Sequence, residues 1–316
     1  MSVGEGHKTL TVGLSIVALA TAWQAVGTVI IGALSTPSVS AILSFAAFAS
    51  AAAYCGLQAA VSKRVGPIRE MLRERTARRL VLVQNTMTAG VFVSFYFSLA
   101  FVPATVASVV EAGIGPLVAA VLTVQRGRFG AARRYVFPSL MTGVTAVIVV
   151  LSLSSSSRAA AAYPVGLVLA ACAGVCGVGV VLCSMKLVAL GFNATDINAT
   201  RFHGAWLVSG IAVLLSGLPR DSSALPVMLL VGVALGAAPL VVLQFGITRS
   251  QPLPTELVMS SLPALVFVGE SIIGRGFDIT IATWMVALLV CSVFAVFAER
   301  RYAETSGSSA SSGLSS

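Results

Sequence analysis

Charge is scarce in this sequence. Asp, Glu, Lys and Arg make up 10% of its 316 residues, where a soluble globular chain carries about 25%. With 57% hydrophobic residues and a mean hydropathy of +0.96, that deficit excludes an ordinary water-soluble domain. Acids number 11 against 20 bases, and the only histidines are His7 and His203. Hydrolytic and group-transfer sites gather several acids or histidines in one place, and this chain has few to gather. Its five cysteines, Cys55, Cys172, Cys176, Cys183 and Cys291, all fall in apolar segments. They lack the loop positions and motif spacing of a disulfide or metal framework and read as small buried hydrophobes. No metal and no cofactor is expected. A Gly-rich phosphate loop of Walker type is also missing, which argues against an ATP-driven pump.

What the chain has in abundance is long apolar runs. Windows of hydropathy give ten candidate spans, at 10–34, 39–61, 80–102, 105–124, 136–153, 165–187, 198–217, 225–247, 255–273 and 279–298. Each approaches or meets the roughly 17–25 residues that cross about 30 Å of hydrocarbon. The first run outlasts the apolar core of a signal peptide, so Ala18-Leu19-Ala20 is read as part of a retained helix. The fold class expected is all-α integral membrane, with ten transmembrane helices and a multi-pass place in the cell membrane.

The positive residues sit between the spans, so the net charge of +9 points to topology and not to nucleic acid. Sixteen of the twenty Lys and Arg fall on the side of the N-terminus, seven of them in the 63–79 loop. Only Arg158, Arg220 and Arg275 fall in the opposite loops, and Arg201 lies just inside span seven. The positive-inside rule then places both termini in the cytoplasm. The 63–79 loop is expected to form a basic helix on the membrane surface, its arginines near anionic lipid and Glu70 and Glu74 pairing with Arg73 or Arg78. The Ser/Gly/Ala-rich tail over 300–316 is expected to be disordered.

Five spans are an odd number, so two halves of five would be oppositely oriented. The expected organisation is an inverted repeat: residues 1–153, a linker at 154–164, and residues 165–299. Two proline-interrupted segments mark corresponding places in these halves. The first runs from Ala104 to Gln125 and carries Glu111 and Pro116. The second runs from Thr255 to Ile273 and carries Glu256 and Pro263, which follows Pro116 by 147 residues. Such paired, interrupted segments point to a transporter's midplane site. Pro116, Pro239 and Pro263 are the expected helix breaks.

Glu111 is the leading candidate, because a carboxylate at membrane depth faces a cavity or a partner. It could titrate, bind an amine, or serve as a structural acid. Glu256 either complements the dipole at the start of span nine or faces the cytoplasmic mouth of a pathway. Arg201 is expected to snorkel to the interface toward Asp196; the alternative is that it holds a substrate carboxylate. His203 could relay protons or simply pack. Gln24, Gln84, Asn85 and Gln244 either line the cavity or make interhelical hydrogen bonds, and Trp23 and Tyr96 either stack on a solute or pack. Glu270 and Asp278 are expected at the interface.

Two stretches carry a family resemblance: FYFSLAFVPATVASVVEAGIGPLVAAVL, from Phe95 to Leu122, and GITRSQPLPTELVMSSLPALVFVGESI, from Gly246 to Ile272. They resemble the EamA-type drug/metabolite transporter superfamily, nearest its threonine/homoserine exporter branch. The resemblance implies two five-helix repeats around a central cavity, alternating access, and export or exchange of small polar metabolites such as amino acids. The partners expected are a small-molecule substrate and membrane lipid, and protons could couple through Glu111 or Glu256. Two other function classes stand beside this one, a channel or lipid/drug translocator and an integral-membrane enzyme.

Overall fold

The computed structural model describes residues 3–125, 162–216, 222–250, 258–275 and 277–290, with a few isolated positions between them. Span five (136–153), most of the expected linker, Glu256 and the tail lie mainly or wholly outside these. Among the described residues every regular element is helical. In chain order these are α1 (Val3–Leu34), α2 (Pro37–Val61), α3 (Val65–Arg73), α4 (Arg75–Ser98), α5 (Ala104–Gln125) and α6 (Tyr163–Ala189). Then come α7 (Ala194–Arg201), α8 (His203–Ser216), α9 (Leu225–Val231), a π-helical turn (Gly232–Ala237), α10 (Ala238–Ile247), α11 (Leu262–Ile272) and α12 (Ile279–Val290).

Among the described residues, five helices are long and apolar enough to cross a membrane: Val12–Leu34, Pro37–Val61, Arg75–Ser98, Tyr163–Ala189 and Leu225–Ile247. Ala104–Gly115, α11 and α12 are shorter apolar helices. The burial pattern suits a lipid solvent. Leu214, Leu215 and Ile272 point outward at 84%, 83% and 79% exposure, whereas Gln84, Asn198, Arg201 and Gln244 are buried inside. Polar groups inside and leucines outside would be costly in water and are expected in hydrocarbon.

Local chemistry sets the helix ends. Pro37 begins α2, where its missing N–H costs nothing, and the Thr36 hydroxyl accepts from Val39 N. Asn193 and Asp196 form a reciprocal capping box at the start of α7, satisfying two N–H groups that the first helical turn leaves open. Glu74 accepts from the Thr76 and Ala77 amides and so begins α4. Those bonds hold its carboxyl below the usual range. Glu74 is therefore a helix cap and not the side-chain partner of Arg73 or Arg78. Part of the 63–79 loop is helical, over Val65–Arg73, with Met71 buried among Ala77, Val81, Leu187 and Ile197.

The three prolines act differently from one another. Pro263 stands in the first turn of α11, after a turn at Ser260–Ser261 that interrupts span nine. Pro239 follows the π-helical turn; a proline ring clashes with the carbonyl four residues back, and the wider turn relieves that clash without ending the helix. At Pro116 the expected break is corrected, since α5 runs through it from Ala104 to Gln125. A single missing N–H is tolerated in such a helix.

Close packing relies on small residues. α4 and α5 pack along α6, α10 and α11 along α1, and α8 along α2, while α2 also meets α9 and the π turn. A Cβ on Gly174 would lie 2.5 Å from the Glu111 carbonyl oxygen, and one on Gly90 2.6 Å from Cys176 Sγ. Gly27 lies equally tight against the Leu235 carbonyl. Small-to-small contacts of this kind let helix backbones approach where lipid offers no hydrophobic drive. At the centre, Phe48 packs on Phe92, Tyr96 and Phe202, with ring centroids 5.3, 5.9 and 6.3 Å away.

Candidate functional site

Helices α1, α5, α6 and α11 converge on a small cavity of about 60 Å³. Gln24 enters from α1, Glu111 and Gly115 from α5, Gly174 and Gly177 from α6, and Ser260 from the turn before α11. The glycines make the space, because neither α5 nor α6 has a side chain at those points to fill it. Interruption of span nine at Ser260–Ser261 exposes polar backbone and hydroxyl groups at the same depth. Glu111 is half-buried. The site therefore has one carboxylate, an amide and a hydroxyl around room for a few waters or one small polar group.

A second polar cluster surrounds Arg201, and here the snorkelling expectation is corrected. Arg201 is 2% exposed and turns into the bundle. Its Nε donates to Thr88 Oγ1 at 3.3 Å and its NH1 to Gln244 Oε1 at 2.5 Å. The guanidinium carbon lies 5.8 Å from the Phe92 ring centroid and 5.2 Å from that of Phe202. Asp196 cannot attract it outward, because that carboxylate is already held by Arg64. Arg64 Nε meets Oδ1 at 2.9 Å and NH2 meets Oδ2 at 2.5 Å. This pairing keeps the Arg64 guanidinium above its ordinary pKa.

The remaining candidates divide between structural and peripheral places. Asn85 bridges the interruption of span seven at Phe202: its Nδ2 donates to Thr200 O at 2.6 Å and its Oδ1 accepts from Gly204 N at 2.9 Å. Gln84 donates to Ser184 Oγ at 2.7 Å, joining α4 to α6. Tyr96 is buried in the aromatic centre. His203 is exposed, with Nε2 at 3.1 Å from Ala199 O and Nδ1 accepting from Trp206 Nε1. Trp23, 38% exposed, lies on the outward side of α1 and does not line the cavity described above, unlike its neighbour Gln24. Glu256 lies outside the described residues.

Sequence reasoning missed the role of Glu270. It is buried, at 6% exposure. Its carboxylate accepts from Ala104 N at 3.3 Å, Thr105 N at 3.0 Å and Thr105 Oγ1 at 2.6 Å. Arg275 pairs with it at 2.9 Å and reaches Gly32 O. Glu270 thus caps α5 from another helix, and a cap 165 residues away in sequence leaves no local signal. Asp278 does cap locally, accepting from Thr280 N and Ile281 N.

Comparison with known proteins adds the fold. No family model matches the chain, and no curated protein matches it. It is similar to a solved structure described as "Crystal structure of protein", with a TM-score of 0.60 and 17% identity. The match covers 94% of this chain and 99% of that one, so the two share a fold along nearly their whole lengths.

Proposed function

We propose that this chain is a secondary-active transporter that moves a small polar organic metabolite, such as an amino acid, across the cell membrane, in the manner of the EamA-type drug/metabolite transporters. The cavity at Glu111 carries the reading: α1, α5, α6 and the turn before α11 bring one acid, one amide and one hydroxyl together inside an apolar bundle. Its size suits a small solute group. Ten spans in two inverted halves, with both termini cytoplasmic, are the organisation proposed.

The packing pattern supports the repeat. Exchanging α1 with α6, α2 with α7–α8, α4 with α9–α10, and α5 with α11 maps the main packed pairs onto one another. The α1/α10 pair becomes α6/α4, α1/α11 becomes α6/α5, and α2/α8 and α5/α11 map onto themselves. Inverted repeats place their substrate between such halves. Two ionic contacts also cross between the proposed halves, Arg64 to Asp196 and the Glu270–Arg275 pair to α5 and α1. By chain order they lie at opposite membrane faces, where contacts that open in turn would give alternating access.

Reconstitution into liposomes tests the reading. Flux of a solute found by thermal stabilisation is expected to saturate and to show counterflow, which a channel does not. Glu111→Gln is expected to abolish or flatten the pH dependence of transport. Full transport with an unchanged pH profile would remove Glu111 as the coupling group, and non-saturating flux would favour a channel or lipid translocator.

A further inference from the structure

Among the described residues, the Arg201 cluster has a cation without an anion and an amide donor without an acceptor. Arg201 is buried, and among the described residues no carboxylate lies within ion-pair distance of it. Its two hydrogen-bond partners, Thr88 and Gln244, are neutral. A guanidinium is only a donor, so the Gln244 amide must turn its oxygen toward Arg201. Its Nε2 then points away, and this buried N–H₂ group meets no acceptor among the described residues. Gln244 itself is fully buried. A buried cation without an anion is costly, and a buried amide donor without an acceptor adds to that cost. Both deficits are removed by one kind of group, a small anion with two acceptor oxygens.

The surroundings favour a planar anion. The Phe92 and Phe202 rings lie 5.8 and 5.2 Å from the guanidinium carbon, and a guanidinium's planar fork suits the two-point geometry of a carboxylate. One turn earlier on α7, Asn198 Nδ2 reaches Val241 O on α10, while Asn198 Oδ1 is buried and meets no donor among the described residues. The seam between α7 and α10 therefore offers donors at Arg201 and Gln244 and an acceptor at Asn198. The Arg64–Asp196 pair lies one to two turns nearer the start of α7, so its release would loosen the same seam.

We propose that Arg201 and Gln244 form an anion subsite that binds the carboxylate of a small organic acid, with Asn198 accepting from a neighbouring donor on the same ligand. This rests on the transporter reading for its physiological role, but binding can be measured without flux. The full-length protein in detergent is tested by thermal shift and calorimetry with acetate, lactate and L-alanine, each against its uncharged amide: acetamide, lactamide and L-alaninamide. The acids, and not the amides, are expected to stabilise the protein. Arg201→Met is expected to remain folded, because no acid is left unpaired, and to weaken acid binding at least about tenfold. Arg201→Lys should recover part of it, and Gln244→Leu should weaken it less than Arg201→Met.

Acid-selective binding in wild type without liposome flux would keep the subsite and sink the carrier reading. Saturable flux of an uncharged solute, equal in wild type and Arg201→Met, would keep the carrier and overturn the subsite. Equal effects of acids and amides, or of either on wild type and Arg201→Met, would also overturn it, leaving Arg201 as a bridge between helices satisfied by buried water. Failure of every acid to stabilise the wild type would do the same.

Discussion

Arg64 holds Asp196 through both carboxylate oxygens, across 132 residues of sequence. Asp196 is fully buried on its side of the contact, while the Arg64 side chain is 31% exposed. The same carboxylate accepts from Asn193 N in the capping box, so one acid both starts α7 and fastens it to the segment after α2. It also explains why Arg201, five residues on, turns inward: the acid that would have drawn it to the interface is already engaged.

A double-mutant cycle should detect this pairing. Arg64→Gln and Asp196→Asn are each expected to lower the unfolding midpoint, with a coupling of about 1–2 kcal/mol after allowance for the partly exposed arginine. Asp196→Ala should cost more than Asp196→Asn, because it also removes the cap. Additive single and double effects would mean that the two side chains act separately.

Glu270 should matter more than its place near a helix end implies. Glu270→Gln keeps the shape but removes the charge that meets Thr105 and Arg275. A loss of about 1–3 kcal/mol is expected, together with faster hydrogen exchange at the start of α5. Thr105→Ala should lose about 1 kcal/mol. Unchanged exchange at Ala104 and Thr105 in Glu270→Gln would show that the cap does not hold α5.

Gly174 and Gly177 make a matched pair of tests. A methyl on Gly174 meets the Glu111 carbonyl, which cannot move without shifting α5. Gly174→Ala is therefore expected to cost about 1–3 kcal/mol and to disturb the cavity. Nothing lies within 4 Å of a Cβ on Gly177, so Gly177→Ala should leave the melting temperature nearly unchanged. Equal effects from the two would contradict the close α5–α6 approach.

Glu74 gives a pH dependence with a definite sign. Amide donation from Ala77 and Thr76 lowers its folded pKa, so its ionised form favours the folded state. That contribution is present above the unfolded value of about 4.3 and is lost as pH falls through the lower folded value. The stability difference between wild type and Glu74→Gln should therefore shrink as the pH is taken from 6 toward about 3. A difference that grows with acidity would reverse the assignment.

Much of the helical plan was legible in the chain. Long apolar runs are a local signal, and they mark where helices lie. Glu111 could also be singled out, because an acid inside an apolar run is conspicuous wherever it falls. Its cavity could not be: that space depends on Gly174 and Gly177 meeting α5 and on the turn at Ser260, residues brought together only by packing.

The charges divide along the same line. Composition alone determined that this chain hides few charges in much apolar surface, since hydropathy is a property of residues and not of their neighbours. Which acid meets which base was decided by the tertiary structure. Asp196 goes to Arg64, Glu270 to Arg275 and the start of α5, and Arg201 is left among amides and rings. An ion pair or a cap is a matter of a few ångströms, and distances between residues more than a hundred positions apart exist only once the helices have packed.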